Sequence, residues 1–491
     1  MESDASKLRR SLTFLDLTML GIGAIIGTGI FVLTGEAAAG TSNALGAGPA
    51  ITVSFVITAV ACALAALCYA EFASMIPISG SAYTYAYASF GELMAWIIGW
   101  DLILEYAIGN VAVAIGWAGY FKSFLDGLGW HLPGMLSEAS GTPMVRLASG
   151  EWQPVTESLL AQYGDGLSGM PRTTALLNLP ALVITFLVTV LLIVGIKESA
   201  RTNAVLVGIK LLLIGLFLYI GFPHFDPGAH WQPFAPNGWK GIMTGAALVF
   251  FAYIGFDAVS TTAEEARNPK RDLPRGMLAA LVVCTVLYVL VAVVLTGMVP
   301  LGVLANAHPV SAALGAVGEP KVAFLISMGI TVTMPTVLLV MQLGQVRIFY
   351  SMSRDGLMPK RFSQVGKRFG TPAFSTLVVG LLVGLMAACM DIGAVAELTN
   401  IGTLFAFVLV AIGVWILRVR EPHRARSFKV PAFKWVCAGA VLVCGYLMAS
   451  LPWITWLRFV LWLMLGLVIY GLYGRRYSQL NNGRPTSGGA P

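Results

Sequence analysis

The residues equipped for chemistry are few, and most stand inside apolar runs. Lys210 lies in NAVLVGIKLLLIGLF, Asp257 in FFAYIGFDAVS, and Asp101 and Glu105 in WIIGWDLILEYAIGN. A charge held in hydrocarbon costs at least about 2.5–3.5 kcal/mol, so such groups turn towards a partner or a cavity. Asp101 and Glu105 are four apart and share one helix face. The 5 histidines are scattered, and no HExxH, GxSxG or histidine–aspartate cluster occurs. The chemistry on offer is therefore binding and proton exchange. No enzyme activity, metal or cofactor is expected.

These side chains must be positioned by elements that live in lipid. Of 491 residues, 57% are hydrophobic and 11% charged, against about 25% charged in a soluble domain. Mean hydropathy is +0.79. The pattern predicts about twelve spans, near 14–36, 49–76, 90–122, 179–196, 203–222, 240–260, 275–299, 321–352, 372–390, 397–417, 431–451 and 455–474. The fold class expected is an all-α polytopic membrane protein. A β-barrel would instead show alternating segments of about 10 residues. The six cysteines lie in apolar runs without a CxxC, as buried thiols would.

The net charge of +7 does not call for nucleic acid, because the cations sit in short loops. Lys7, Arg9 and Arg10, then Lys197 and Arg201, Arg267 to Arg275, Lys360 to Arg368, Arg418 to Lys429, and Arg475 with Arg476 all fall on one side of a twelve-span chain. The positive-inside rule puts that side, and both termini, in the cytoplasm. The long loop 126–178 then lies outside, with Glu138, Glu151, Glu157 and Asp165; a lid, a partner contact and a tolerated insertion are all open readings.

Two spans look interrupted. LGIGAIIGTGIFVLTG, residues 20–35, crowds Gly21, Gly23, Gly27 and Gly29 into a membrane helix. Glycine weakens a helix interior, and an opened backbone in lipid must meet protein or a polar cavity. Gly23-xxx-Gly27 could equally serve close helix packing. Span six carries Gly255 and Asp257 at its lower half. Spans one and six each begin a set of five, and five crossings force the second set to enter from the opposite side. Matching interruptions in two such halves point to a site near the midplane. Free N–H groups at Gly27, Thr28 and Gly29 suit a carboxylate, and carbonyls at Ile25, Phe251, Ala252 and Ile254 suit an ammonium. Together they would hold the backbone of an amino acid.

GIGAIIGTGIF, FFAYIGFDAVSTTAEEARNPKRDLP and LLVMQLGQVRIFYSMSRDGLMP resemble the amino acid–polyamine–organocation transporter superfamily, most of all its bacterial cationic-amino-acid-transporter-like branch, over about 12–476. The resemblance implies a five-plus-five inverted repeat with unwound helices one and six, two further helices, and alternating access. It implies these bounds: a cytoplasmic start 1–11, repeat one 12–222, repeat two 223–420, helices eleven and twelve 421–476, and a cytoplasmic tail 477–491. Ile25, Thr28 and Gly29 fall where the family touches the substrate backbone, as do Phe251 and Ile254, with Phe251 also a gate. Met341 falls at the side-chain end of the pocket, where a bulky thioether would admit a small side chain; ordinary core packing is the other reading. The 126–178 loop exceeds the bacterial pattern by roughly two dozen residues.

Lys210 is either a lysine snorkelling to the interface or a proton-linked cation on the carbonyls freed in span one; the resemblance favours the second. Glu105 is either a pocket carboxylate, suited to a cationic substrate, or a partner for another helix. Asp257 either carries protons or stabilises the unwound part of span six. The charged segment after span six reads as a short gating helix or a solvated loop. The reading taken is proton-coupled uptake of small neutral L-amino acids such as alanine across the cytoplasmic membrane. Arginine, lysine or polyamine transport is the alternative. The partners expected are the amino acid, protons and the bilayer, with a monomer sufficing.

Overall fold

The computed structural model describes residues 12–40, 45–75, 83, 86–87, 91–147, 150, 152–155, 159, 169–195, 200–262, 266–366 and 369–478. Lys7, Arg9, Arg10, Glu151, Glu157, Asp165, Lys197, Glu264, Glu265, Lys367 and Arg368 lie outside them.

The chain enters at α1 (Phe14–Ile25), closed at its start by a capping box between Thr13 and Asp16. A π-helical turn (Gly29–Leu33) leads into α2 (Thr34–Ala39). The helices α3 (Ile51–Met75), α4 (Glu92–Gly127), α5 (Leu179–Val194) and α6 (Ala200–Gly221) follow. After them come α7 (Gly238–Val249), 3-10 turns at Phe250–Tyr253 and Asp257–Thr262, and α8 (Pro269–Met298). Next are α9 (Pro309–Ala316), α10 (Pro320–Thr333), α11 (Pro335–Arg354) and α12 (Ala373–Cys389). The last three are α13 (Ile392–Arg420), α14 (Phe433–Ala449) and α15 (Trp453–Ile469).

Among the described residues, seven helices are long and apolar enough to cross a membrane, with α10 and α11 counted as one. The bent pair at α1 and α2 adds an eighth, and α5, α12 and α14 are shorter apolar helices. Their outward faces stay apolar, as at Leu212, Leu381 and Leu442, where lipid replaces water. This is a polytopic α-helical membrane protein.

Two details depart from the sequence reading. The long loop over 126–178 is not all-α: β1 (Pro143–Arg146) pairs antiparallel with β2 (Trp152–Pro154) and β3 (Arg172–Thr174), burying Met144 and Val145. Lys122 at the end of α4 grips that loop through Glu138 at 2.9 Å. Of the charged segment EEARNPKRDLP, residues 266–268 are non-helical chain and PKRDLP forms the first turns of α8, with Asp272 buried, not a separate short helix. The span expected over 321–352 is one span, Pro320–Arg354: Met334 keeps helical geometry and its N–H donates to the Ile330 carbonyl at 2.9 Å, while Pro335 has no N–H to donate.

The core is organised around α1. It packs on α6 and α8, and α3 packs along α8 and α7. On the other side α4 lies against α11 and α13. The chain before α1 meets the chain after the second interruption, where the Arg267 N–H donates to the Leu12 carbonyl at 2.9 Å.

Candidate functional site

The first interruption begins when Ile26 leaves helical geometry with ψ of 101°. Its N–H still donates to the Ile22 carbonyl at 2.9 Å. No carbonyl of the preceding turn accepts from Gly27, Thr28 or Gly29. The two pieces of the span meet at 42°. The buried Thr28 hydroxyl has no partner among the described residues. The glycines divide their labour. Cβ atoms at Gly21 and Gly23 would lie 2.8 Å from Ala280 and 2.7 Å from Val207, so these two permit helix packing. Gly27 and Gly29 belong to the interruption itself.

The second interruption runs from the 3-10 turn at Phe250–Tyr253 through an extended Ile254 to Gly255. Gly255 has φ of +115°, a conformation open to glycine and costly for a residue with a Cβ. The two interruptions touch. A Cβ on Gly29 would stand 2.2 Å from the Ala252 Cα, and one on Gly255 would stand 3.0 Å from the Ala24 carbonyl.

Three of the four carbonyls expected to await an ammonium already have donors. The Tyr288 hydroxyl lies 2.9 Å from both the Ile25 and the Ala252 carbonyl, one hydrogen serving two acceptors. The Phe251 carbonyl accepts from the Ile254 N–H at 3.2 Å. Tyr288 was missed by the sequence reading, although a tyrosine in an apolar helix needs a partner for its hydroxyl and so carries a signal.

Lys210, 1% exposed, reaches across from α6 and does not snorkel. Its Nζ donates to the Gly23 carbonyl at 3.0 Å and the Ile26 carbonyl at 2.9 Å. These are among the acceptors that the end of α1 leaves over.

Beside the interruptions lies a narrow cleft whose free volume, about 10 Å³, is no more than one water needs. It is lined by Ala24, Glu105, Tyr106, Ile254, Gly255, Asp257, Val337, Val340 and Met341. Glu105, Ile254, Asp257 and Met341 thus meet around one space. Ile25, Gly27, Thr28, Gly29, Phe251 and Ala252 form the adjoining backbone junction, and Lys210 stands behind α1. The Tyr106 hydroxyl donates to Asp257 at 3.4 Å. Asp101, one turn from Glu105, does not line the cleft; it is wholly buried against Gly402, and neither of its oxygens has a partner among the described residues.

A model of the family described as amino acid permease matches residues 12–473. The chain belongs to the amino acid permease family. It is a transporter, not an enzyme, and a member of the superfamily its motifs resemble. This permease is 47% identical over 480 residues to the branched-chain amino acid permease BcaP of Bacillus subtilis, covering 98% of this chain and 96% of that one. It is 45% identical over 480 residues to the methylthioribose transporter of the same organism, with the same coverage. It is 36% identical over 420 residues to cationic amino acid transporter 4 of Homo sapiens, covering 85% of the permease and 61% of that protein. Two relatives so alike in identity carry names with different solutes, so overall similarity does not select the cargo. The lining of the cleft has to be read residue by residue.

Proposed function

We propose that this protein is a secondary transporter that carries small neutral L-amino acids, such as alanine, together with protons across the cytoplasmic membrane. The observation carrying this reading is the junction of two interrupted helices beside a narrow cleft, with a lysine on the carbonyls of the first. On this reading the twelve segments form two inverted sets of five plus a final pair, and both termini are cytoplasmic. The substrate carboxylate faces the N–H groups of Gly27, Thr28 and Gly29, at the positive start of the following turn. Its ammonium competes with Tyr288 for the Ile25 and Ala252 carbonyls. Phe251 gates the site. Lys210 exchanges its proton during the cycle, and Asp257 relays protons at the unwound end of span six. The site residues come from one chain, so a monomer suffices.

The side chain of the substrate meets Ile254, Val337, Val340 and Met341, an apolar wall that supports a neutral cargo. The name of the branched-chain relative agrees with a neutral cargo. Glu105 in the same wall supports a second reading, a cationic amino acid or polyamine. Met341 weighs against it, because an overfilled pocket excludes a long side chain whatever its charge, whereas a carboxyl can be satisfied internally.

The test is uptake of labelled L-alanine, L-leucine and L-arginine into proteoliposomes, with and without an inward proton gradient and without sodium. Gradient-driven uptake of alanine is the expected result. Uptake of arginine alone would transfer the side-chain reading to Glu105, and exchange seen only after preloading would replace symport with antiport.

A further inference from the structure

Outside the site, two thiols from distant parts of the chain lie in contact. Cys68 of α3 and Cys437 of α14 are both buried, and their Sγ atoms are 3.9 Å apart. A disulfide needs about 2.05 Å between sulfurs, so the gap is small enough for side-chain rotation and a slight helix shift to close. The pair is also reachable. Cys437 lines an apolar groove between α13 and α14, whose rim residues Ile412, Trp415 and Leu442 are exposed on the lipid-facing side. A small neutral oxidant can enter there without crossing polar surface.

We propose that Cys68 and Cys437 form an oxidation site, at which a two-electron oxidant of the peroxide or diazene class closes a disulfide between α3 and α14. Each thiol gives up its proton and one electron, and the sulfurs join. Hydrogen peroxide takes both electrons and both protons and leaves as two waters; a diazene leaves as the hydrazine. In a reducing cytoplasm the resting form is the dithiol.

The consequence follows from what the two helices hold. Helix α3 packs along α7, which leads into the second interruption, and α8, which carries Tyr288. Helix α14 packs on α13, on α3 itself and more lightly on α7. A covalent link therefore locks the seam between α14 and α3, the support of the interrupted helices, and any rocking that slides one on the other is arrested. The arrest rests on the transport reading; the cross-link does not.

The experiment uses full-length protein carrying Cys389→Ser, since Cys389 is exposed and could couple separate molecules. Proteoliposomes are treated with diamide, then assayed for alanine uptake before and after dithiothreitol, while a chymotryptic digest is mapped by mass under non-reducing conditions. The expected result is a peptide joining Cys68 to Cys437, loss of most uptake, and recovery with the reductant. Adding Cys68→Ser or Cys437→Ser should leave uptake intact throughout. Absence of that joined peptide would overturn the site, and a joined protein that transports at the untreated rate would overturn the arrest. So would equal loss of uptake in the serine variants. Untreated uptake is scored separately and bears only on the transport reading.

Discussion

Lys210 Nζ donates to the Ile26 carbonyl at 2.9 Å, at the residue where α1 stops being a helix. A buried ammonium and an opened helix end satisfy each other, so the charge of one is tied to the geometry of the other. Removing the amine should alter both the proton dependence and the interruption. Lys210→Ala is expected to carry out uptake that no longer responds to an inward proton gradient. It should also melt lower, because a carbonyl left without its donor costs about 1–3 kcal/mol. Lys210→Arg should not restore coupling, since a guanidinium does not release its proton in a protein. Uptake by Lys210→Ala with the wild-type gradient dependence would remove the lysine from coupling.

Tyr288 joins the two interruptions through one hydroxyl. Tyr288→Phe keeps the ring and removes the hydrogen that serves Ile25 and Ala252. Its melting temperature should fall. Added substrate should raise that temperature more than in the wild type, because the ligand's ammonium then supplies the missing donor. Equal ligand-induced shifts in the two proteins would place the ammonium elsewhere.

Gly29→Ala forces a Cβ to within 2.2 Å of the Ala252 Cα, a collision with backbone that no rotamer relieves. A loss of about 1–3 kcal/mol in stability is expected from such overpacking, together with loss of uptake. Gly215→Ala is the contrast, since nothing lies within 4 Å of its added methyl group. Thermal melts of both in the same detergent decide whether contact between the interruptions, rather than glycine content, is what matters.

Met341 sits against Gly109 as well as the cleft, its Sδ 3.2 Å from where a Cβ on that glycine would be. Met341→Ser should open the cleft and extend uptake to longer side chains. Competition by a series of unlabelled L-amino acids reads this out, and an unchanged series would take Met341 out of the pocket.

His308, between α8 and α9, offers a rival source of pH dependence. Burial and the Lys122 charge push it from 6.5 down to about 4, so it is neutral at pH 7. Its folded value lies below its unfolded one. Between 6.5 and about 4 the unfolded chain therefore binds a proton that the folded one refuses, and stability falls as pH falls through that window. His308→Gln should flatten this loss in melts taken across the window. It should leave the pH response of uptake near neutrality as it was.

A large share of this protein was legible as sequence. Apolar runs of spanning length, charges confined to loops and isolated Lys210, Glu105 and Asp257 follow from what hydrocarbon tolerates, and a linear pattern carries that information. The glycines marked the first interruption for the same reason. Which glycine does what was not legible, because Gly21, Gly23 and Gly29 differ only in the atom opposite, whether Ala280, Val207 or Ala252. Tyr288 and Tyr106 became parts of the site only when α8 and α4 were laid against the interruptions. The separation of Asp101 from Glu105 depended on which side of α4 meets α11 and which meets Gly402. The pairing of Cys68 with Cys437, 369 residues apart, had no local signature at all. Composition and periodicity decide that a helix enters the membrane; distances between helices, and hence donors for orphaned carbonyls, are decided only when the helices pack.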